Sequence, residues 1–194
     1  MKQIREEILL IGGGGHCRGV IDVIEQEKRF KIAGIIEKFA GESQAIFNYP
    51  LIGCDDDLEE LRKRYRYAFV TIGHIKSNSV RIKLFEKLKA LNFTIPTIIS
   101  PLAYCSQHAT VDEGTVVMHH ALINAGAKVG KNCIINSKAV LEHDSAVEDN
   151  CHISTASILN GAVLVKANSF VGSGVTTKEG IVLEGFIKAG SLVK

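Results

Sequence analysis

From Ala109 to Leu192 the chain repeats every six residues. Counted from Ala109, the third position of successive hexads reads Val111, Val117, Ile123, Val129, Ile135, Leu141, Val147, Ile153, Leu159, Val165, Val171, Thr177, Leu183 and Ala189. Twelve of these fourteen are large aliphatics, in one phase and with no insertion. Two positions earlier the residue is mostly small, as at Ala109, Ala121, Ala127, Cys133, Ala139, Cys151 and Ser157. A sustained short period marks stacked supersecondary units that bury a continuous core only by stacking. A period of six suits a parallel β-helix with three faces of short strands joined by tight turns. Each coil takes about 18 residues and pairs with the next at the usual strand spacing of roughly 4.7–4.9 Å, so the hexads make four to five coils. Cys133 and Cys151 then fall in equivalent small-residue slots of neighbouring coils, where they read as core packing.

The residues before this register have a different chemistry. Ten of the twelve Phe and Tyr precede residue 109, as do all three prolines, and only Phe170 and Phe186 follow. A narrow prism accepts Val and Ile and has little room for rings, so two halves are expected, with a boundary near residues 100–109. In the first half, Ile8–Ile11 is a short apolar run of the kind found in strands buried on both faces. It leads into Gly12-Gly-Gly-Gly15-His16, after which residues 18–29 have helical periodicity. Ile32 to Ile36, ending at Glu37, and Ala68 to Ile72, ending at Gly73, are two further strands. Val80 to Leu91 is an amphipathic helix with Ile82, Phe85, Leu88 and Leu91 on one face. Alternation of strand and helix predicts a small parallel sheet of the Rossmann type.

The glycine run lets backbone N–H groups approach a phosphate at a helix N-terminus, where the dipole favours negative charge. The dinucleotide pattern G-x-G-x-x-G fails in every register, since its last position falls on Cys17 or Arg18. A mononucleotide or nucleotide-sugar is therefore favoured over NAD. Glu37 sits where an acidic residue often meets a ribose or base, and a solvated strand-end carboxylate is the alternative. His74 reads as a surface loop residue. In the second half, His143 follows the core residue Leu141 by two, which puts it at an exposed turn. A neutral imidazole there can act as a general base, and a neighbouring carboxylate would fix its tautomer. An ordinary turn histidine is the competing reading. His152 lies on a different edge of the prism, and His119 and His120 read as solvated turn residues.

Several classes drop out. The net charge is +2, from 23 basic and 21 acidic residues, so no global field draws nucleic acid or anionic membrane. No apolar run approaches the roughly 18–20 residues of a membrane span. The segment Met1-Lys-Gln-Ile-Arg-Glu-Glu lacks the apolar core of a secretory leader. Five cysteines with no CxxC pair read as reduced thiols of a cytoplasmic protein.

With these motifs in place, nearly the whole chain resembles the NeuD/PglD-type acyltransferases, which act on sialic acids or nucleotide-linked amino-sugars. Ile11-Gly-Gly-Gly-Gly-His16 is similar to the family's N-terminal Gly-His loop, and Thr71-Ile-Gly73 to its third-strand motif. Asn136 followed by Glu142-His143-Asp144 resembles its Asn…Glu-His-acid segment, with His152 and Gly161 at the family's spacing. The fold implied is a Rossmann-like nucleotide-sugar-binding domain over residues 1–100 and a left-handed β-helix acyltransferase domain over 101–194. The activity implied is acetyl transfer from acetyl-CoA, as co-substrate, to the amine of a nucleotide-linked 4-amino-4,6-dideoxy sugar in bacterial glycan biosynthesis.

Roles follow position by position. His143 would be the general base, with Asp144 raising its basicity. Gly14, Gly15, His16, Glu37, Lys38 and Gly73 would hold the nucleotide portion, and Asn136 and Glu142 would face the substrate. His152, Gly161 and Ser173 would face acetyl-CoA. The resemblance also implies a homotrimer about the prism axis, with each active site between two subunits and no metal. Two departures stand out. Asp144 replaces the family's usual Glu, so its carboxylate reaches one methylene less. The sequence ends at Leu192-Val-Lys194 without the family's Gly-x-Pro-Ala loop, and Lys188, near where relatives carry glycine, is placed to meet a CoA phosphate. Sialic acid O-acetylation and non-catalytic nucleotide-sugar binding are the alternatives. A zinc hydro-lyase would need three converging histidines, which the spacing of His119, His120, His143 and His152 does not clearly supply.

Overall fold

The computed structural model describes residues 5–38 and 45–194; the leader reading at Met1–Ile4 lies outside them. The chain forms two compact units, one of Met1–Gly73 with Ser79–Pro96 and the other of His74–Asn78 with Thr97–Lys194.

The first unit is built on a five-stranded sheet in the order β3-β4-β2-β1-β5. Its strands are β1 (Glu6–Ile11), β2 (Phe30–Glu37), β3 (Ala45–Ile46), β4 (Tyr49–Cys54) and β5 (Tyr67–Val70). All pairs are parallel except β3 with β4. Ile8 to Ile11 are fully buried, as a central strand covered on both faces requires. Helix α1 (Gly15–Glu27) turns Val20, Ile21, Val23 and Ile24 into the core and stops at Lys28, whose φ of 59° is left-handed. It starts inside the glycine run, three residues before the apolar periodicity does. Helix α2 (Leu58–Arg64) and the β3–β4 hairpin carry no strong period and were not expected from the sequence. Helix α3 (Ser79–Ala90) buries Leu84, Phe85 and Leu88.

The second unit is a left-handed parallel β-helix of two-residue strands stacked in sheets of six, six and five. The first face runs from Ile98–Ile99 to Phe186–Ile187, the second from Tyr104–Cys105 to Leu192–Val193, and the third from Thr110–Val111 to Val182–Leu183. Pairing partners such as Ile123 with Leu141 and Ile135 with Ile153 are one 18-residue coil apart. The aliphatics of the third hexad position form one buried column with Cys133 and Cys151. Corner residues spaced by six from Gly114 to Gly180 take φ values of 55–76°. That geometry tolerates Gly and Asn best, and Asn132, Asn150 and Asn168 fill three of the corners.

Two features differ from the hexad count. The helix begins two hexads earlier, at Ile98, because Ile99 and Cys105 already keep the phase of Val111. The register also breaks near the end. Phe170 pairs with Phe186 and Thr176 with Leu192, offsets of 16 rather than 18 residues. Gly185 (φ 77°) takes the corner after Glu184, so Ile187 and Val193, not Ala189, pack against the column. The shorter corner is permitted because glycine adopts the left-handed turn without a Cβ clash.

Candidate active site

The Gly-His loop follows β1, Glu37 ends β2, and Thr71–Gly73 follows β5. β2 and β5 flank β1 on opposite sides, so these residues meet at the carboxyl ends of the strands where the chain direction across the sheet switches. Ligands of open α/β sheets bind at this position. The Gly12 N–H donates to the Ile36 carbonyl at 2.8 Å, and the Gly13 N–H donates to Glu37 Oε1 at 2.5 Å. A Cβ on Gly13 would lie 2.3 Å from Glu37 Oε1 and from Ile46 Cδ1. The first two glycines are thus used in closing the loop, and Glu37 is held with its second oxygen left over. A carboxylate there accepts hydrogen bonds from hydroxyls or base N–H groups and repels a phosphate. Gly14 and Gly15 face open space, while Gly73 packs its Cα face against the His16 Cβ. Thr71 Oγ1 donates to the carbonyls of Ile11 and Gly12. The buried Arg81 Nη1 donates to the Val70 and Ile72 carbonyls at 2.8 and 3.0 Å, pinning the loop after β5. Burial pushes the neighbouring Cys17 thiol up to about 11. Lys38 is exposed beyond Glu37.

On the β-helix, the corner between the second and third faces carries Glu142, His143 and Asp144. Asp144 takes the left-handed position (φ 59°), and its Oδ2 lies 3.0 Å from His143 Nδ1. A carboxylate only accepts, so Nδ1 carries a proton, and in the neutral ring Nε2 presents its lone pair. Aspartate therefore reaches the imidazole despite being one methylene shorter than glutamate. The two side chains are 65% and 69% exposed, which screens their attraction. Their value lies in orientation. The ring lies over Gly161 of the next coil, where a Cβ would stand 2.7 Å from both Cε1 and Nε2. Glu142 Oε2 accepts a hydrogen bond from Asn124 Nδ2 at 2.7 Å. A groove of about 590 Å³ opens beside Glu142, His143, Asn160, Gly161 and Glu179, within the roughly 300–1,000 Å³ range of small-molecule sites.

Asn136 and His152 meet at the corner between the first and second faces, and Ser173 lies further along the same corner. His152 is buried; its Nδ1 lies 2.7 Å from the His74 carbonyl and its Nε2 lies 3.1 Å from Asn136 Nδ2. The carbonyl must accept and the amide must donate, which fixes a neutral ring protonated on Nδ1. Ser173 Oγ is 2.8 Å from Ser154 Oγ. The surface reading of His74 is corrected: it is 8% exposed, and its ring meets those of His152 and Phe170 edge-on. His119 is also less solvated than expected, since its Nδ1 lies 2.6 Å from the Oγ of buried Ser100.

Asn124, which holds Glu142, and Gly126, where a Cβ would meet Asp144 Oδ1 at 2.4 Å, escaped the sequence reading. Both lie one 18-residue coil before the residues they serve, so coil arithmetic was the available signal. Among the described residues no three or more His, Cys, Asp or Glu are grouped to hold a metal ion. No described helix is long and apolar enough to cross a membrane.

A nucleotide-type loop on an α/β sheet together with a histidine–carboxylate corner on a hexapeptide β-helix defines a two-part sugar acyltransferase architecture. Residues 7–88 match the family model of the PglD N-terminal domain. The chain is 20% identical over 178 residues to GDP-perosamine N-acetyltransferase of Escherichia coli O157:H7, covering 89% of this chain and 78% of that protein. A crystal structure of perosamine N-acetyltransferase from Caulobacter crescentus, a histidine-to-asparagine mutant in complex with CoA and GDP-perosamine, matches with a TM-score of 0.90 and 31% identity. That match covers 97% of this chain and 88% of the other. The acetyltransferase domain of PglB from Neisseria gonorrhoeae FA1090 shares the fold, with a TM-score of 0.88 at 24% identity over 98% of this chain and 92% of that one. The protein belongs to the NeuD/PglD-type sugar acyltransferase family.

Proposed function

We propose that the protein is an acetyl-CoA-dependent N-acetyltransferase acting on a nucleotide-linked 4-amino-4,6-dideoxy sugar in bacterial glycan biosynthesis. The observation that carries this reading is the His143–Asp144 pair, whose Nε2 faces a groove kept open by Gly161. Relatives named for the acetylation of GDP-perosamine support the substrate class.

In this reading the sugar amine attacks the thioester carbonyl as His143 Nε2 removes its proton. The tetrahedral intermediate collapses with loss of the CoA thiolate, which can regain the proton from the imidazolium. Asp144 stabilises the imidazolium and holds the ring through Nδ1. Glu142, fixed by Asn124, lines the sugar side. Asn136 faces the substrate with Glu142, Gly161 leaves room for the acyl donor, and His152 and Ser173 complete the acetyl-CoA contacts. Residues 1–100 hold the nucleotide portion through Gly14, Gly15, His16, Glu37, Lys38 and Gly73, and residues 101–194 carry out the transfer.

The two clusters lie on different corners of one prism, so a site that uses both draws them from neighbouring copies. This supports a homotrimer. The outward residues of the second face, Tyr104, Leu122, Val140, Ile158, Thr176 and Leu192, form a stripe that is apolar except at Thr176, with Tyr104 and Leu192 60% and 65% exposed. A stripe of this kind on a soluble chain marks an interaction surface. A cytoplasmic location is part of the same reading, supported by five free cysteines.

The test is acetyl transfer from acetyl-CoA to nucleotide-linked amino-sugars by wild type and His143→Ala, with binding of both substrates measured alongside. Transfer by the wild type, and its loss with binding retained in the variant, is expected. Undiminished transfer by the variant would remove His143 from the mechanism. Acetylation of a sialic acid hydroxyl instead of the amine would favour the O-acetyltransferase alternative. Multi-angle light scattering of a monomer would overturn the trimer.

A further inference from the structure

Thr177 and Ala189 are the two exceptions among the large aliphatics of the third hexad position. Ala189 follows from the shortened corner at Gly185. Thr177 lies before that corner, in register, and is 1% exposed. A hydroxyl among aliphatics is unfavourable unless it is hydrogen-bonded. Thr177 bonds to the coil before it, and the backbone ladder changes there. In the earlier coils the Asn124 N–H donates to the Leu141 carbonyl and the Glu142 N–H to the Leu159 carbonyl, each at 2.9 Å. The Asn160 N–H, next in this stack, donates instead to Thr177 Oγ1 at 3.0 Å. The Thr177 carbonyl accepts from the Asn160 side chain, through Nδ2 at 2.5 Å. Of the strand pairing at this level only Ile158 with Thr176 remains.

This exchange bears on the site because of what Asn160 stacks on. Asn124, Glu142 and Asn160 are spaced by 18 residues and take the same place on successive coils. Asn124 Nδ2 donates to Glu142 Oε2 at 2.7 Å, so an amide one coil away reaches that carboxylate. Asn160 stands one coil away on the other side, and it borders the same groove as Glu142. Glu142 thus lies between two amides, and only Asn124 bonds it. Hydrogen bonds to an ionised acceptor are stronger than those to a neutral one, so an amide released from Thr177 would turn to Glu142. Thr177 prevents this by taking the Asn160 backbone N–H on its hydroxyl, which leaves its carbonyl for Nδ2.

We propose that Thr177 is a positioning residue: by engaging both the backbone N–H and the side-chain amide of Asn160, it keeps that amide off Glu142 and leaves one Glu142 oxygen free for the acceptor sugar. Buried in the column, Thr177 acts only through Asn160. The proposal rests on the reading above in which Glu142 lines the sugar side, and it adds the residue that keeps Glu142 available.

The test compares full-length wild type, Thr177→Val and Thr177→Ser by steady-state kinetics, thermal melting and crystal structures of the two variants. Valine restores the aliphatic column at the same volume, so Thr177→Val is expected to melt no lower than wild type. Its KM for the nucleotide-linked amino-sugar should rise roughly tenfold, the scale of one hydrogen bond to a charged group. Its kcat and its KM for acetyl-CoA should stay as they are, the pattern of lost ground-state binding. Thr177→Ser keeps the hydroxyl and should retain the wild-type KM. In the Thr177→Val crystal the Asn160 N–H should lie on the carbonyl of residue 177 and Nδ2 on Glu142. A Thr177→Val enzyme with the wild-type KM would overturn the proposal, as would a Thr177→Ser enzyme equally impaired. Asn160 Nδ2 still on the carbonyl of residue 177 in the valine variant would overturn it too. So would a valine variant that melts far below wild type, since Thr177 would then serve packing. Absence of acetyl transfer by the wild type fails the transferase reading alone, and the position of Asn160 in the two crystals still decides the part played by Thr177.

Discussion

The imidazole of His143 occupies the space in which a side chain at Gly161 would stand, with Cε1 and Nε2 both 2.7 Å from the ideal Cβ position. The two residues are 18 apart, so they are stacked neighbours on successive coils. The clash partner is the far end of an exposed side chain, which can move at little cost to the fold. Gly161→Ala is therefore expected to melt close to wild type while displacing the ring. Misplacement of a reacting group by about 1 Å can cost roughly a hundredfold. Steady-state kinetics beside a thermal melt checks this, and unchanged kcat in a folded variant would count against the geometry.

Asp144 can be replaced without disturbing its backbone, because Asn also tolerates the left-handed corner at φ 59°. Asp144→Asn removes the charge next to His143 Nδ1 and keeps an acceptor in place. Because the pair is largely exposed, the expected loss is modest, about tenfold in kcat, with little change in KM for either substrate. A variant as active as wild type would reduce Asp144 to a corner residue.

Gly185 sets the shortened corner that shifts the last coil by two residues. Its φ is 77° and nothing stands within 4 Å of its ideal Cβ position, so only backbone strain opposes a side chain. Its N–H donates to Ser169 Oγ at 3.0 Å, and the substitution leaves that bond available. Gly185→Ala should cost about 1–2 kcal/mol, read as a lower urea midpoint. Insertion of two residues at this corner, restoring the 18-residue offset, is expected to preserve a folded β-helix.

Cys17 gives stability a dependence on alkaline pH. Burial, as the largest cause, raises its thiol from 9.0 to about 11, so the folded chain keeps a proton that the unfolded chain releases. Between those values the unfolded state binds fewer protons, and stability falls as pH rises. The effect is fully absent below about pH 9 and reaches about 2–3 kcal/mol by pH 11. Urea titrations across this range should show a shallower decline in Cys17→Ala than in wild type, whatever that variant's stability at neutral pH. Equal slopes would show that the thiol ionises as readily folded as unfolded.

The β-helix was legible because its contacts recur at a fixed distance along the chain. Once the coil is 18 residues, the neighbours of Leu141 are Ile123 and Leu159 by arithmetic. The same arithmetic accounts for Gly126 beneath Asp144 and Gly161 above His143. It failed at Ala189, where a small residue kept the apparent phase while Gly185 had already shortened the path. It also began too late, because Pro101 and Tyr104 made the first coil look like part of the aromatic half. In the first unit, the strands that are buried on both faces could be read from their apolar runs. The β3–β4 hairpin and α2 could not, since neither has a face apolar enough to impose a period.

The hexad register by itself determined the prism, its column of aliphatics and cysteines, and the turn on which His143 sits, because local repetition dictates which residue stacks on which. Only the tertiary structure decided which polar groups meet. The Glu37 carboxylate closes on the Gly13 N–H, 24 residues away, and the buried His152 ring is set by the His74 carbonyl, 78 residues away. Such hydrogen bonds form because a buried polar group must find a partner, and the partner is whichever group the folded backbone brings within reach. No period in the chain encodes that choice.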